Sequence, residues 1–174
     1  MCSCQAARKR TAADKALTIA DQSISVHRKI AIEVNEDMMI GVLITTHGGL
    51  GQELIKAAEL IKGPLKGVIH ISVDQTKGLE DIRKEISAAI KKLDQGKGVI
   101  ILTDLFGGTP SNISLSFLKE GKVEVITGVN LPMLLKLTDV RENMALREYA
   151  SFIKEYGIKN ICVASEILNK KIGA

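Results

Sequence analysis

The chain has 174 residues, of which 45% are apolar, and a formal net charge of +4. This length fits one domain with a full hydrophobic core, and the mild charge, spread among acidic residues, argues against binding along a nucleic-acid backbone. Only 3% of the residues are aromatic, and no apolar run has membrane-spanning length, which argues against base stacking and against a membrane-embedded protein.

The first 37 residues differ from the rest of the chain. They are polar and mixed in charge, and they lack the alternation of strands and helices that follows. Met38 and Met39 directly precede the first convincing strand. We therefore interpret residues 1–37 as an extension, either an upstream addition from a misplaced start or a disordered tail, and residues 38–174 as the domain.

The cysteines are few and widely separated. They are Cys2, Cys4 and Cys162. Their spacing gives neither a disulfide framework nor the four ligands of a structural zinc site. We therefore expect a protein of the reducing cytoplasm that holds no metal.

From residue 39 onward, apolar runs alternate with stretches of helical periodicity. The runs predict strands over about 39–45, 67–72, 99–103, 123–127 and 160–164. The periodicity predicts helices over about 51–62, from 79 to before 96, from 110 to before 121, 131–137 and 141–156. Thr109 is expected to cap the third helix and Gly157 to end the last. Such alternation predicts a doubly wound α/β fold with a mostly parallel sheet in the order 2-1-3-4.

Two of these strands run directly into residues that can do chemistry. The first ends at His47, and the third runs into Asp104. Ligands of open α/β sheets bind beyond the carboxyl ends of the strands, and the order 2-1-3-4 makes these two strands neighbours. A carboxylate that accepts a hydrogen bond from one ring nitrogen leaves the other nitrogen free to act as a nucleophile. We therefore expect His47 and Asp104 to form a pair.

The segment after Asp104 is suited to binding an anion. Gly107 and Gly108 permit close backbone approach, the following helix offers free N–H groups, and the hydroxyls of Thr109 and Ser111 add donors. Beside a nucleophilic histidine, such a segment predicts phosphoryl transfer onto that histidine. A set of ordinary turn residues remains the alternative, because the segment lacks the lysine of a P-loop.

Three blocks of the sequence resemble the signature of a known family. They are IGVLITTHG over residues 40–48, LTDLFGGTPSN over 102–112 and TGVNLPML over 127–134. In this order and spacing, over about residues 39–170, the chain resembles the mannose-type IIA component of the bacterial sugar phosphotransferase system, which belongs to the mannose/fructose/sorbose family.

This resemblance implies a phosphocarrier. His47 would accept a phosphoryl group on Nε2 from the phosphohistidine of HPr and pass it to a IIB component, which serves sugar uptake through the membrane components IIC and IID. Asp104 would orient the imidazole, and Thr109 matches the hydroxyl of the loop that holds the phosphoryl group. The resemblance implies no cofactor, because the phosphoryl group is carried covalently.

The resemblance also implies supporting residues and an assembly. Gly48 would follow the histidine, and the turn containing Gly128, Asn130 and Pro132 would border the site. The family forms homodimers in which a C-terminal strand, here about residues 160–164, adds antiparallel to the sheet of the partner.

Other functions stay open on the sequence alone. The phosphotransfer subunit of a dihydroxyacetone kinase shares the fold and the histidine chemistry. A regulatory IIA protein would use the same phosphorylation to control a binding partner. In a third class, a ligand-binding α/β module, His47 would not be phosphorylated.

Overall fold

The computed structural model describes residues 38–74, 76–139, 141 and 143–172, with side chains as far as residue 168. Met38–Ala174 forms a unit of its own. The interpretation of residues 1–37, including Cys2 and Cys4, lies outside the described residues.

Strands and helices alternate along the described chain. The strands are β1 Gly41–His47, β2 Val68–Val73, β3 Val99–Thr103 and β4 Val123–Thr127. The helices are α1 Leu50–Lys62, α2 Leu79–Leu93, α3 Thr109–Leu115, α4 Leu131–Lys136, α5 Leu146–Lys159 and α6 Ala164–Ile172.

The four strands form a parallel sheet in the order β2-β1-β3-β4, which confirms the predicted fold and strand order. Ile44 and Leu102 lie on the face covered by α1, α4 and α5, and Leu43 and Ile101 on the face covered by α2 and α3. All four side chains are fully buried. Each contributes about 1.5–3 kcal/mol to the folded state, and burial on both faces explains the uninterrupted apolar runs.

The register of the two central strands sets the position of the candidate site. Thr45 of β1 pairs with Thr103 of β3. Because the strands are parallel, the residues that follow this pair emerge at the same edge of the sheet. His47 and Asp104 therefore lie side by side.

The strand predicted over residues 160–164 is absent from the single chain that the structure describes. Asn160 follows α5, residues 161–163 have no regular structure, and Ala164 begins α6. Alternating Ile161 and Val163 resemble a strand, but a strand needs a neighbouring strand to bond its backbone. None of the described strands pairs with these residues.

The start of α5 also differs from the prediction, which placed it at residue 141. Arg141 is buried, and its guanidinium donates hydrogen bonds to the carbonyls of Ile40 at 2.5 Å, Lys66 at 2.6 Å and Gly67 at 2.7 Å. These contacts hold Arg141 against the amino-terminal edge of the sheet, and the helix begins only at Leu146.

Gly157 lies inside α5, so the prediction that it ends the helix is wrong. A Cβ atom added there would lie 2.4 Å from Cε of Met133 and 3.3 Å from Nδ2 of Asn130. Glycine therefore allows α4 and the turn before it to pack closely against α5.

Candidate active site

The site is built around a contact between His47 and Asp104. The backbone N–H of His47 donates a hydrogen bond to Oδ2 of Asp104 at 2.9 Å, and Nδ1 of the ring lies 2.8 Å from the same oxygen. The other carboxylate oxygen, Oδ1, accepts the N–H of Leu105 at 2.9 Å. The structure thus brings together the two side chains that the strand ends predict to pair.

The charge of Asp104 determines which ring nitrogen is free. Burial disfavours the charged carboxylate, but the hydrogen bonds from the backbone and ring of His47, the electrostatic attraction of that ring and the N–H of Leu105 together hold the pKa of Asp104 below its usual value. An ionised carboxylate has no proton to donate, so the proton of the contact lies on Nδ1. Nε2 then carries a lone pair, on a side chain that is 51% exposed.

Gly108 lies directly against the histidine ring. A Cβ atom added at Gly108 would lie 2.7 Å from Cε1 and 3.3 Å from Nε2 of His47. Carbon atoms in contact are normally about 3.5–4.0 Å apart, so only glycine fits without moving the ring. Gly107, with φ of +82°, adopts the left-handed conformation that glycine tolerates best. The loop backbone therefore passes beside the nucleophilic edge of the ring.

Ser111 and Asn112 hold this loop in shape. The hydroxyl of Ser111 accepts the N–H of Gly107 at 2.9 Å and donates to the carbonyl of Gly108 at 3.2 Å. The side-chain amide of Asn112 donates to the carbonyl of Gly107 at 3.0 Å. Ser111 is fully buried, so its hydroxyl serves the loop and does not face an anion as the sequence analysis expected. Asn112 was not predicted, although amide side chains often bond to nearby backbone.

Thr109 is the side chain of this loop that is open to a ligand. It is the first residue of α3 and does not cap the helix as predicted, since Gly108 precedes the helix with an extended backbone. Its side chain is exposed, and among the described residues its hydroxyl has no hydrogen-bond partner. The hydroxyl can therefore donate to a group placed near Nε2.

The turn after His47 is fixed from two sides. Gly48 has φ of +52°, and its N–H donates to the carbonyl of Val73, the last residue of β2, at 3.0 Å. The buried hydroxyl of Thr46 accepts the N–H of Gly51 in the first turn of α1 at 2.8 Å. Thr46 was missed by the sequence analysis, and a hydroxyl inside a buried strand is the signal that could have revealed it.

The turn between β4 and α4 supports the site from the neighbouring loop. Gly128 has φ of +83°, and the N–H of Val129 donates to the carbonyl of Thr103 at 2.9 Å, next to Asp104. The side chain of Asn130 caps α4, and Pro132 lies in the first turn of that helix. The structure therefore gives Asn130 and Pro132 a role in forming the turn.

Large apolar side chains are exposed around the histidine. We define the rim patch as Leu50, Leu105 and Phe106, which are all exposed, Phe106 to 72%. They lie on the loops that follow His47 and Asp104. Adjacent exposed apolar side chains are typical of an interaction surface.

Neither a metal cluster nor a membrane helix is found in the part of the chain that the structure describes. There, no three or more His, Cys, Asp or Glu side chains are grouped so that they could hold a metal ion. No described helix is both long enough and apolar enough to cross a bilayer.

Comparisons with known sequences point to one family. A family model described as "PTS system fructose IIA component" matches residues 41–154. The fructose-specific EIIA component of Bacillus subtilis (strain 168) is 32% identical over 133 residues, which cover 76% of this chain and 91% of that protein. The mannose-specific EIIAB component of Escherichia coli (strain K12) is 35% identical over 107 residues, which cover 61% of this chain and 33% of that longer protein.

A solved structure agrees with the sequence comparisons. The crystal structure of phosphotransferase system component EIIA from Streptococcus agalactiae superposes with a TM-score of 0.67 at 26% identity, covering 74% of this chain and 99% of that chain. These similarities confirm the resemblance drawn from the three sequence blocks.

Proposed function

The chain belongs to the family of fructose IIA components of the sugar phosphotransferase system, and on that premise we propose that it is a histidine phosphocarrier. In this proposal, Nε2 of His47 accepts a phosphoryl group from phosphorylated HPr and passes it to a IIB component. The contact between Nδ1 of His47 and Asp104 at 2.8 Å carries the proposal, because it leaves the lone pair of Nε2 available.

The proposed step exchanges one N–P bond for another. The lone pair of Nε2 on His47 attacks the phosphorus of the donor phosphohistidine, a new N–P bond forms, and the bond to the donor nitrogen breaks. The proton on Nδ1 stays in place, and no metal or nucleotide takes part. The His47 ring gains positive charge as the bond forms, and the adjacent Asp104 carboxylate stabilises that charge.

The loop beside the ring is suited to the transferred group. The exposed hydroxyl of Thr109 is a free donor, and the first backbone N–H groups of a helix have no acceptor within the helix. Gly108 keeps this space clear of a side chain. Positioning and hydrogen bonds to the phosphoryl oxygens would supply most of the catalysis, as is general for phosphoryl transfer.

A phosphoryl group can pass between two proteins only if the histidine is accessible. The side chain of His47 is half exposed, and the rim patch adjoins it. We propose that HPr and the IIB component dock on the rim patch in turn. Because Phe106 projects from the loop after Asp104, its exposed ring can be buried by either partner.

Cellular context and assembly are further parts of the proposal. The protein would act in the cytoplasm and supply IIC and IID indirectly through IIB. Two copies would associate, with residues 160–163 of each adding antiparallel to the free edge of β4 in the other. Among the described strands β4 pairs only with β3, and on its other edge Lys119 bridges Val123 alone, so that the edge beyond Val123 is open; Ile161 is 75% exposed. Edge strands of this kind bind further strands readily.

Family membership favours this function over the dihydroxyacetone kinase subunit. The regulatory function differs from transport only in the protein that receives the signal. Purified enzyme I, HPr and labelled phosphoenolpyruvate test the shared step, followed by mapping of acid-labile label. We expect label on the wild-type protein and none on His47→Ala, with unchanged circular dichroism.

The matched control for this experiment is His70→Gln. His70 lies inside β2, paired in register with Ile44 and away from the strand ends. This variant should be labelled like the wild type. Charged HPr without transfer to the wild type, or label elsewhere than His47, would contradict the proposal. Transfer from the labelled protein to IIB components of known sugar systems then distinguishes transport from regulation.

A further inference from the structure

The C-terminal part of the described chain is exposed throughout. Every described side chain from Ile158 to Leu168 is exposed, including the apolar residues of the segment after α5 and of α6. Ile167 and Leu168 form an apolar surface on α6, and Glu166 lies in its first turn. An amphipathic helix whose apolar side chains are exposed gains stability by packing against another surface.

Two neighbouring grooves lie beside β4 and share part of their lining. The edge groove, of about 400 Å³, lies between β4 and α5 and reaches from Glu124 to Thr127. The pole groove, of about 800 Å³, lies at the amino-terminal end of the sheet, and its apolar walls include Leu118 and Met144. Glu124 and Arg147 line both grooves.

The direction of the proposed strand leads from one groove into the other. A segment antiparallel to β4 begins near Thr127 and ends near Glu124, because Val123 is already bonded to Lys119. Four extended residues span about 13 Å, which fits residues 160–163 along the edge groove. The helix that follows would begin at the junction of the grooves. Nine helical residues are about 13 Å long, which suits the pole groove.

Charge also matches at the junction. Arg147 is exposed where the two grooves meet, and it forms no ion pair with any described residue. Glu166 lies three residues after Val163, so it would arrive at this junction when the segment fills the edge groove. A carboxylate and a guanidinium at the rim of an interface stabilise it modestly and fix its register.

We propose that α6 of one copy of this chain occupies the pole groove of a second copy, with Glu166 paired to Arg147 of that copy. This inference rests on the proposed association through β4 and adds the helix and its binding groove to it. The arrangement is isologous, so each dimer contains the contact twice. The exposed surface of α6 and the apolar walls of the pole groove would then be buried together.

Charge reversal tests the proposal on the full chain. Sedimentation velocity should show that Glu166→Arg and Arg147→Glu each weaken dimerisation by about tenfold or more, because two attractions become repulsions. An equal mixture of the two variants should restore dimers, since each chain then carries the charges that complement the other. The mixture distinguishes exchange between copies from docking of α6 on its own chain, which mixing cannot rescue.

A second pair of variants tests the apolar contact. Leu168→Asp should weaken dimerisation at least as much as the single charge reversals do. Leu60→Asp, at an exposed site on α1, should leave dimerisation unchanged. A monomeric wild type, or single charge variants with wild-type dimerisation, would overturn the proposal. Labelling of His47 from phosphorylated HPr is measured on the same samples, so loss of the phosphocarrier function is recognised separately from loss of the dimer.

Discussion

Oδ2 of Asp104 accepts both the backbone N–H of His47 at 2.9 Å and its ring nitrogen Nδ1 at 2.8 Å. One oxygen therefore fixes the ring relative to the backbone of its own residue. Since Asp104 is ionised, this arrangement also sets the tautomer. The geometry makes Asp104 a positioning residue whose effect is transmitted through the imidazole.

We predict that Asp104→Asn slows phosphoryl transfer by about 10²–10⁴-fold, by analogy with the orienting carboxylate of serine proteases. The asparagine side chain has a single oxygen, so it can accept hydrogen bonds either from the N–H of Leu105 or from His47, but not from both. With its oxygen towards Leu105, it presents an NH₂ group to Nδ1 and moves the ring proton to Nε2. Rapid-quench transfer from phosphorylated HPr measures the rate. Asp74→Asn, on the exposed loop after β2, is the control that should leave the rate unchanged, and an unchanged rate in Asp104→Asn would make Asp104 purely structural.

Gly108→Ala should reduce phosphoryl transfer by at least about tenfold while the protein stays folded. The new Cβ would lie 2.7 Å from Cε1 of His47, so the ring must shift, and small misplacements cost transfer rate. Gly49→Ala is a matched control. Gly49 has φ of −81°, and an added Cβ there meets nothing within 4 Å. Equal rates in the two variants would show that the close approach of Gly108 does not matter.

Local patterns were sufficient to predict the sheet and the central pair. Apolar runs mark the strands, and the order 2-1-3-4 places the ends of the first and third strands together. His47 and Asp104 follow from those two facts without any knowledge of side-chain contacts. The same reasoning could not tell that Ser111 faces into the loop, because its inward orientation depends on the backbone conformation of Gly107 and Gly108.

Other features depend on contacts between distant parts of the chain. Gly157 ends no helix, because it is matched to Met133 and Asn130 on another element. The alternation of Ile161 and Val163 predicts a strand, but whether a strand forms depends on a partner that periodicity cannot identify. At such positions the local sequence pattern fits more than one structure, so it cannot decide which structure forms.

Acid should weaken a contact among α1, α4 and the loop after α4. Asp139 accepts hydrogen bonds from Lys136 at 2.6 Å and Lys62 at 2.8 Å, which lower its pKa to about 2. A lowered folded-state pKa gives stability that is present above the unfolded value near 4 and is lost as the pH falls towards 2. Asp139 is one-third exposed, so we expect this contact to contribute about 1 kcal/mol to the free energy of unfolding.

Urea unfolding of the wild type and Asp139→Asn at several pH values isolates this contribution. The difference in unfolding free energy between the two proteins should be largest at pH 5 and should shrink steadily towards pH 2.5. Glu148→Gln, an exposed substitution on α5, should show no such trend. If the difference in unfolding free energy between the wild type and Asp139→Asn does not depend on pH, the stabilising role given to the ionised Asp139 is contradicted.

Arg141→Met should lower the free energy of unfolding by about 3 kcal/mol, because three hydrogen bonds from a buried charged group are lost, although the carbonyl of Gly67 keeps the N–H of Val42 as a donor. The three carbonyls belong to Ile40, Lys66 and Gly67, at the amino-terminal edge of β1 and β2. Arg83→Met is the matched control, since Arg83 is exposed and lies over Phe117 at 5.5 Å, a contact worth about 0.5–1 kcal/mol. Urea titration of both variants gives the comparison. Equal losses of unfolding free energy in the two variants would mean that the buried guanidinium does not hold the segment before α5 against the sheet. A larger loss for Arg141→Met, with His47 still phosphorylated, would show that Arg141 stabilises the fold and does not act in the site.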